Sequence, residues 1–390
     1  MEQELGRVFL TAPVPDELDA QRRAWTVVRV AYGQREAVPL RRRLRPALAL
    51  AVLAALVAAV LSPAGQAVGD WIRDRVQREE PPQPALFRLP AVGSLLVGAE
   101  EGLWVVHQDG SKRRLGDYDD ASWSPRGRYV IATRGHRLVA LEPAKGEVRW
   151  SLSRAAAVAD ARWSGGGLDT RVAYRSGTSL RVVAGDGAPD RLLARRVAPV
   201  APAWKPGDEH VLAFVDARGG LNIVNVDTGA GRQRTHGFET AHTLVWSPDG
   251  RRLLVVTKGR RHPILNVRGT VVRTIELPKG HVLTDAAFAP RGRALAYTDF
   301  DGSRDQGTVI LDNGERRRTL QSGEGRLDEV VWSPDGHWLL IGWPVADQWL
   351  FLEMPGVTKI KAVEDIRREF DPGGEGGGGF PRVLGWCCVP

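Results

Sequence analysis

Beyond residue 90 the chain alternates short apolar runs with polar turns, and the alternation keeps a steady length. Trp246-Ser247-Pro248-Asp249-Gly250 returns as Trp332-Ser333-Pro334-Asp335-Gly336. Weaker copies are Trp123-Ser124-Pro125-Arg126-Gly127 and Phe288-Ala289-Pro290-Arg291-Gly292, while Trp204-Lys205-Pro206-Gly207 and Trp163-Ser164-Gly165-Gly166 keep only the aromatic and a turn. The aromatic positions 123, 163, 204, 246, 288 and 332 stand 40, 41, 42, 42 and 44 residues apart, which marks repeated supersecondary units.

Each unit predicts the same strands. An apolar strand runs into the aromatic, as in Leu244-Val245-Trp246. In the turn that follows, proline presets φ and glycine supplies the exit conformation. A fully apolar strand comes next (253–256, 294–297 or 338–341), then an alternating one such as 221–226, then a short polar outer strand. Four strands in ~40–45 residues is the content of a propeller blade.

Six anchors leave material over at both ends. Residues 94–98, 102–107 and 112–115 read as second, third and fourth strands with no first, and 382–386 reads as a first strand with nothing after it. The pattern therefore predicts an all-β, seven-bladed β-propeller over residues 90–390. Six blades are complete and the seventh is closed by the C-terminal strand around Trp386, which removes two open sheet edges. The last interval, Trp332 to Trp386, is 54 residues. Its excess is assigned to one or two helical turns within 364–370 and a glycine-rich connector, 372–379, expected to be a mobile surface loop.

Ahead of the repeats, residues 46–68 form a 23-residue, uncharged, mostly apolar run. A bilayer needs ~20 such residues, so the run predicts a transmembrane helix. Arg35, Arg41, Arg42, Arg43 and Arg45 precede it densely, whereas the arginines after it are mixed with acids, which places the N-terminus in the cytoplasm. A cleaved signal peptide is disfavoured, because about 45 residues precede the apolar run. Residues 1–45 then form a cytoplasmic segment whose Leu18, Trp25, Val28 and Tyr32 sit near helical spacing, an amphipathic helix suited to a membrane surface or a cytoplasmic protein partner. Residues 69–89, with Pro81-Pro82-Gln83-Pro84, are a linker, and the propeller lies outside the cytoplasm.

Composition agrees with strands and turns: 13 Trp, 44 Gly and 25 Pro against 2 Met. The net charge of +8 is spread along the chain without a basic stripe interleaved with aromatics, so no nucleic-acid partner is expected. The excess of Arg over Lys reads as a bacterial, GC-rich genome. Cys387 and Cys388 are neighbours, an awkward spacing for a bridge, and read as two buried apolar thiols.

Candidate chemistry is sparse. None of the eight His pairs with another at metal-ligand spacing, and no nucleophile elbow or phosphate loop occurs, so the sequence predicts no enzyme, metal or cofactor. Asp227, Asp249, Asp312 and Asp335 are explained by turns. Asp299, Asp301 and Asp305 fall in a Gly- and Asp-rich segment, 299–307, with the oxygens to hold a cation, though a solvated hairpin loop explains them more simply. Trp123, Trp163, Trp204, Trp246, Phe288, Trp332 and Trp386 are structural anchors. Trp343 and Trp349 fall outside the repeat and, with the three Asp, make up the candidate recognition surface.

The Trp-Ser-Pro-Asp-Gly turn followed by an apolar strand resembles the WD40-like repeats of TolB-type propellers over roughly residues 90–390. No Trp-Asp dipeptide occurs, and Gly280-His281 matches a eukaryotic-type WD repeat only once. A single quinoprotein-like pattern, Ala140-Leu141-Glu142 through Gly146 to Trp150, does not argue for a quinone. The expected function is a non-enzymatic, membrane-anchored extracytoplasmic propeller that binds a protein or cell-envelope ligand as scaffold or sensor. Two other readings are a membrane-tethered regulator of anti-sigma-like layout acting through residues 1–45, and a hydrolase of envelope sugars or peptides.

Overall fold

The computed structural model describes residues 88–166, 169–208, 210–230, 233–371 and 378–388. The cytoplasmic segment, the apolar run 46–68, nearly all of the linker and residues 372–377 of the glycine-rich connector lie outside the described residues. Among the described residues no helix is long and apolar enough to cross a membrane.

Seven four-stranded antiparallel sheets follow one another along the chain. Blade I begins with β1 (Ser94–Ala99), β2 (Gly102–Val106) and β3 (Lys112–Gly116). Blade II is β4 (Asp120–Trp123), β5 (Val130–Arg134), β6 (Arg137–Glu142) and β7 (Glu147–Ser153). Blade III is β8 (Val158–Trp163), β9 (Arg171–Ser176), β10 (Ser179–Ala184) and β11 (Asp190–Ala194). Blade IV is β12 (Ala203–Trp204), β13 (Val211–Val215), β14 (Leu221–Asn225) and β15 (Gln233–Thr235). Blade V is β16 (Ala241–Trp246), β17 (Arg252–Thr257), β18 (Arg261–Asn266) and β19 (Val271–Glu276). Blade VI is β20 (His281–Phe288), β21 (Leu295–Asp301), β22 (Gln306–Asp312) and β23 (Arg317–Glu324). Blade VII is β24 (Asp328–Trp332), β25 (Trp338–Trp343), β26 (Gln348–Glu353) and β27 (Ile360–Val363), followed by a single helical turn, α1 (Ile366–Glu369), inside the predicted 364–370. Finally β28 (Arg382–Cys387) returns to pair with β1 and completes blade I. The seven-bladed ring and its composite blade are as the sequence predicts.

The first strands of neighbouring blades adjoin one another and so form the inner ring, with the fourth strands outermost. Among the described residues seven separate apolar clusters fill the propeller, one between each pair of neighbouring blades. This follows from strand periodicity: a strand packed on both sides must be apolar on both faces, as Leu253–Val256 and Leu339–Ile341 are. The fourth strands are the exposed sheet edges, and they carry Lys112, Arg113, Arg114, Arg149, Arg191, Arg273, Arg317, Arg318 and Lys361. Charge on an edge discourages strand addition, which gives the dispersed basic charge a structural place. Antiparallel connectivity puts every first-to-second hairpin on one face, called here the turn face, and every second-to-third loop on the other, the loop face.

The Ser of the repeat holds its turn. The buried Ser247 hydroxyl accepts the Arg252 N–H at 2.9 Å and donates to Asp249, and Ser333 does the same with Trp338 (2.9 Å) and Asp335 (2.6 Å). The indoles join blade to blade. Trp204, Trp246, Trp332 and Trp123 donate Nε1–H to the carbonyls of Arg162 (2.8 Å), Ala203 (3.1 Å), Ala287 (3.1 Å) and Gly385 (3.4 Å). Each acceptor immediately precedes the anchor of the previous blade, so one bond recurs around the ring. The Trp163 and Trp386 indole nitrogens are buried without a partner.

Candidate functional site along the inner strands

A second repeated position lies three residues before each anchor. It is occupied by Asp120, Asp160, Ala201, Thr243, Asp285, Glu329 and Val383 around the ring. The sequence reading missed it, although the signal is legible in Asp120-Ala-Ser-Trp123, Asp160-Ala-Arg-Trp163, Asp285-Ala-Ala-Phe288 and Glu329-Val-Val-Trp332. In five blades the pairing of first to second strand skips register near this point: between Ala159 and Arg162, Ala241 and Thr243, Leu283 and Ala286, Asp328 and Val330, and Val383 and Gly385. A bulge re-aims the side chain of the unpaired residue, and Asp160 and Glu329 take left-handed φ values of 55° and 49° to do so.

In blades II and III these carboxylates meet arginines. Arg162 donates to Asp120 Oδ2 at 2.7 Å across the blade boundary, and Arg175 pairs with Asp160 within blade III. Blades VI and VII differ. Asp285 accepts backbone N–H groups from Val330 of the next blade and from Ala286, both at 2.8 Å. Burial raises its pKa to about 6 against the pull of those bonds, with Asp328 adding repulsion. Glu329 Oε2 is sealed from solvent with no hydrogen-bond partner, although other parts of the residue are partly exposed. Its pKa is pushed up to about 8, first by burial, then by Asp328 and Asp285, with Arg382 opposing. Burial raises Asp328 as well.

A cavity of about 860 Å³ runs along the inner strands of blades III to V and opens among the turns of the turn face. Arg126, Asp160, Arg162, Trp163 and His242 line it. Burial lowers the His242 pKa and favours a neutral ring, whose Nδ1 lies 2.9 Å from Thr243 Oγ1. A neighbouring groove of about 660 Å³ between blades II and III shares Pro125, Arg126 and Trp163 with it and adds Arg128, Arg149 and Trp150. Tyr129 and Trp163 stack there at 6.2 Å, and the Arg128 guanidinium lies 5.4 Å from the Tyr129 ring centroid.

The expected recognition surface is not brought together. Trp343 and Trp349 lie at the facing ends of adjacent strands, and their side chains enter different clusters. Trp349 is 0% exposed in the cluster between blades VII and I, and Trp343 is 7% exposed between VI and VII, donating to the Glu324 carbonyl at 2.8 Å. Neither offers a surface to a partner; Val345, between them, is 62% exposed. Asp299 and Asp301 belong to β21 rather than to a loop, and only Asp305 is on the hairpin proper. His281 Nδ1 lies 3.0 Å from both Asp299 oxygens, and its Nε2 lies 3.5 Å from Asp301. Asp301 also accepts the Ser303 N–H at 2.9 Å, so these acids order the hairpin. Among the described residues no His, Cys, Asp or Glu group is arranged to hold a metal.

Cys387 and Cys388, expected to be buried, are only partly buried. Both sulfurs lie against the blade II turn, Cys387 3.9 Å from the Ser124 carbonyl and Cys388 3.6 Å from that of Pro125.

No family model and no characterised protein matches the sequence. Solved structures share the fold. The β-propeller domain of Cps50 (Swd1) from Myceliophteria thermophila aligns with a TM-score of 0.50 at 15% identity, over 63% of this chain and 86% of that one. Hsv2p from Kluyveromyces lactis aligns with a TM-score of 0.51 at 12% identity, over 70% and 94%. Hydrazine synthase from Kuenenia stuttgartiensis gives 0.48 at 15% identity, over 60% and 76%. At such identities the likeness of the first two supports the β-propeller fold and nothing narrower.

Proposed function

We propose that this chain is a membrane-anchored, extracytoplasmic propeller, TolB-like in its repeats, that works as a non-enzymatic binding module. The observation that carries the reading is the continuous depression on the turn face. Its two parts, about 860 and 660 Å³, are in the size range of ligand sites. Arg126 and Arg128 at its rim are exposed, and no carboxylate pairs with them among the described residues. Guanidinium groups beside aromatic rings suit an anionic, planar or extended ligand, such as an acidic stretch of a protein partner or an anionic envelope polymer. The apolar run 46–68 and the arginines before it support the anchor and the orientation.

Photo-crosslinking in intact membranes tests the seat. A crosslinker in place of Arg126 should capture a partner, one in place of Arg304 on the loop face should not, and Arg128→Glu should abolish the first adduct. Capture only from the loop face would refute the assignment. Topology is tested separately, by a reporter active only outside the cytoplasm. It should work after Pro390 and fail before Glu2.

A further inference from the structure

Among the described residues Glu329 Oε2 is a buried carboxyl oxygen without a hydrogen-bond partner, and it sits where the ring is closed. Residues 378–382 lead into β28, the strand that completes blade I. Gly342, beside Asp328 in the β24–β25 pairing, leaves an empty place on β25. A Cβ there would collide with Glu329 Oε2 and come within 3.1 Å of the Phe380 ring. The carboxyl and the aromatic therefore share the hollow above Gly342, one from blade VII and the other from the closing segment. The Arg367 guanidinium lies 5.6 Å from the Phe380 centroid and is paired with Asp347 at 3.2 Å.

The charged groups around Glu329 are few. Asp285 approaches from β20, Asp328 from β24 itself and Arg382 from β28, while β25 offers only Gly342. Two acids and one arginine leave a third carboxylate under-compensated. Asp285 is further committed to the Val330 and Ala286 amides. A neutral carboxyl against Phe380 costs little, whereas an ionised one must find water or Arg382.

We propose that Glu329 is a proton-operated clasp on the closing strand: neutral, it lets the 378–382 segment pack; ionised, it loosens that segment and the inner end of blade I. Its raised pKa places the change just above neutrality. In the proposed extracytoplasmic location, this would make firm closure of the ring a property of mildly acidic to neutral surroundings.

The test compares the full-length protein with Glu329→Gln, which keeps the shape and cannot ionise. Amide hydrogen exchange is read in 378–388 for both at the same pH, so that the intrinsic chemistry cancels. At about pH 9 the native chain should exchange in this segment roughly tenfold faster than the variant, and near pH 6 the two should coincide. Infrared difference spectra should show a protonated carboxyl band at neutral pH that is missing from the variant and bleaches above about pH 8. Gly342→Ala, which occupies the carboxyl's place, should loosen the segment at every pH. Equal exchange in the native chain and Glu329→Gln at all pH values would overturn the proposal. So would a difference spread evenly over all seven blades, or an absent carboxyl band.

Discussion

Asp120 and Glu329 occupy the same place in the repeat, three residues before an anchor tryptophan, and have opposite fates. Asp120 meets Arg162 from the next blade at 2.7 Å, and Asp160 meets Arg175. Glu329 meets two other acids, a glycine and a phenylalanine, and its pKa is pushed up to about 8. The backbone treats Asp160 and Glu329 alike, each with a bulge and a left-handed φ, whereas Asp120 pairs in regular register with Thr133. What separates those two is the side chain beside them, an arginine at Asp160 and two acids at Glu329. A repeat therefore fixes where a carboxylate is placed, and its neighbours fix whether it is charged.

The comparison can be broken first at the seam. Removing residues 380–390 takes away β28 and its contacts with both neighbouring blades, and should abolish cooperative melting. Trp386→Ala alone should cost about 3–5 kcal/mol by denaturant titration, because the indole fills the cluster between blades VII and I. An unchanged melt would mean that blade I does not need its inner strand.

The pH dependence comes next. An acid whose folded pKa is raised destabilises the fold as the pH climbs from its ordinary value to the raised one. For Glu329 that window runs from 4.5 to about 8, and for Asp285 from 3.8 to about 6. His262 opposes them in the lower part. It is buried neutral, its pKa drops to about 4, and its contribution grows as the pH rises toward 6.5. The Glu329 signature is thus cleanest between about pH 6.5 and 8. There the native chain should lose roughly 1–2 kcal/mol that Glu329→Gln retains. Parallel curves would show that Glu329 stays charged throughout.

On the paired side, Arg162→Met should cost about 1–2 kcal/mol at neutral pH, since it strands Asp120, whose Oδ1 already lacks a partner. Adding Asp120→Asn should recover part of the loss, and a strictly additive double variant would contradict the pairing. The smallest contrast concerns the indole bonds. Both lose buried ring volume, so Trp246→Phe should cost about 1 kcal/mol more than Trp163→Phe, the difference being its bond to Ala203. Phe288 already fills an anchor position without an N–H.

The blades were legible because the turn after each aromatic spells its own geometry. Ser247 and Asp249 are bound to each other in the structure, so their spacing survives in Ser333 and Asp335. The composite blade was legible from strands left unmatched at both ends. The carboxylate position is hard to recognise, because Ala201, Thr243 and Val383 interrupt it and some of its partners come from other blades. Trp343 and Trp349 were misread for a related reason: they break the sequence period, yet each fills a gap between blades that no single repeat contains. Asp299 and Asp301 looked like a loop because β21 runs further toward the loop face than its apolar residues suggest.

The pairing of β28 with β1 also orders events in time. A ribosome makes β1 to β3 early, yet the partner for the inner edge of β1 appears only after six further blades have been built. During that interval a nascent chain presents one bare strand edge whose rightful occupant does not yet exist, and any other strand in reach competes for it. Completion of the ring must bridge nearly the whole propeller sequence, a pairing of very long sequence separation that needs protection while it waits.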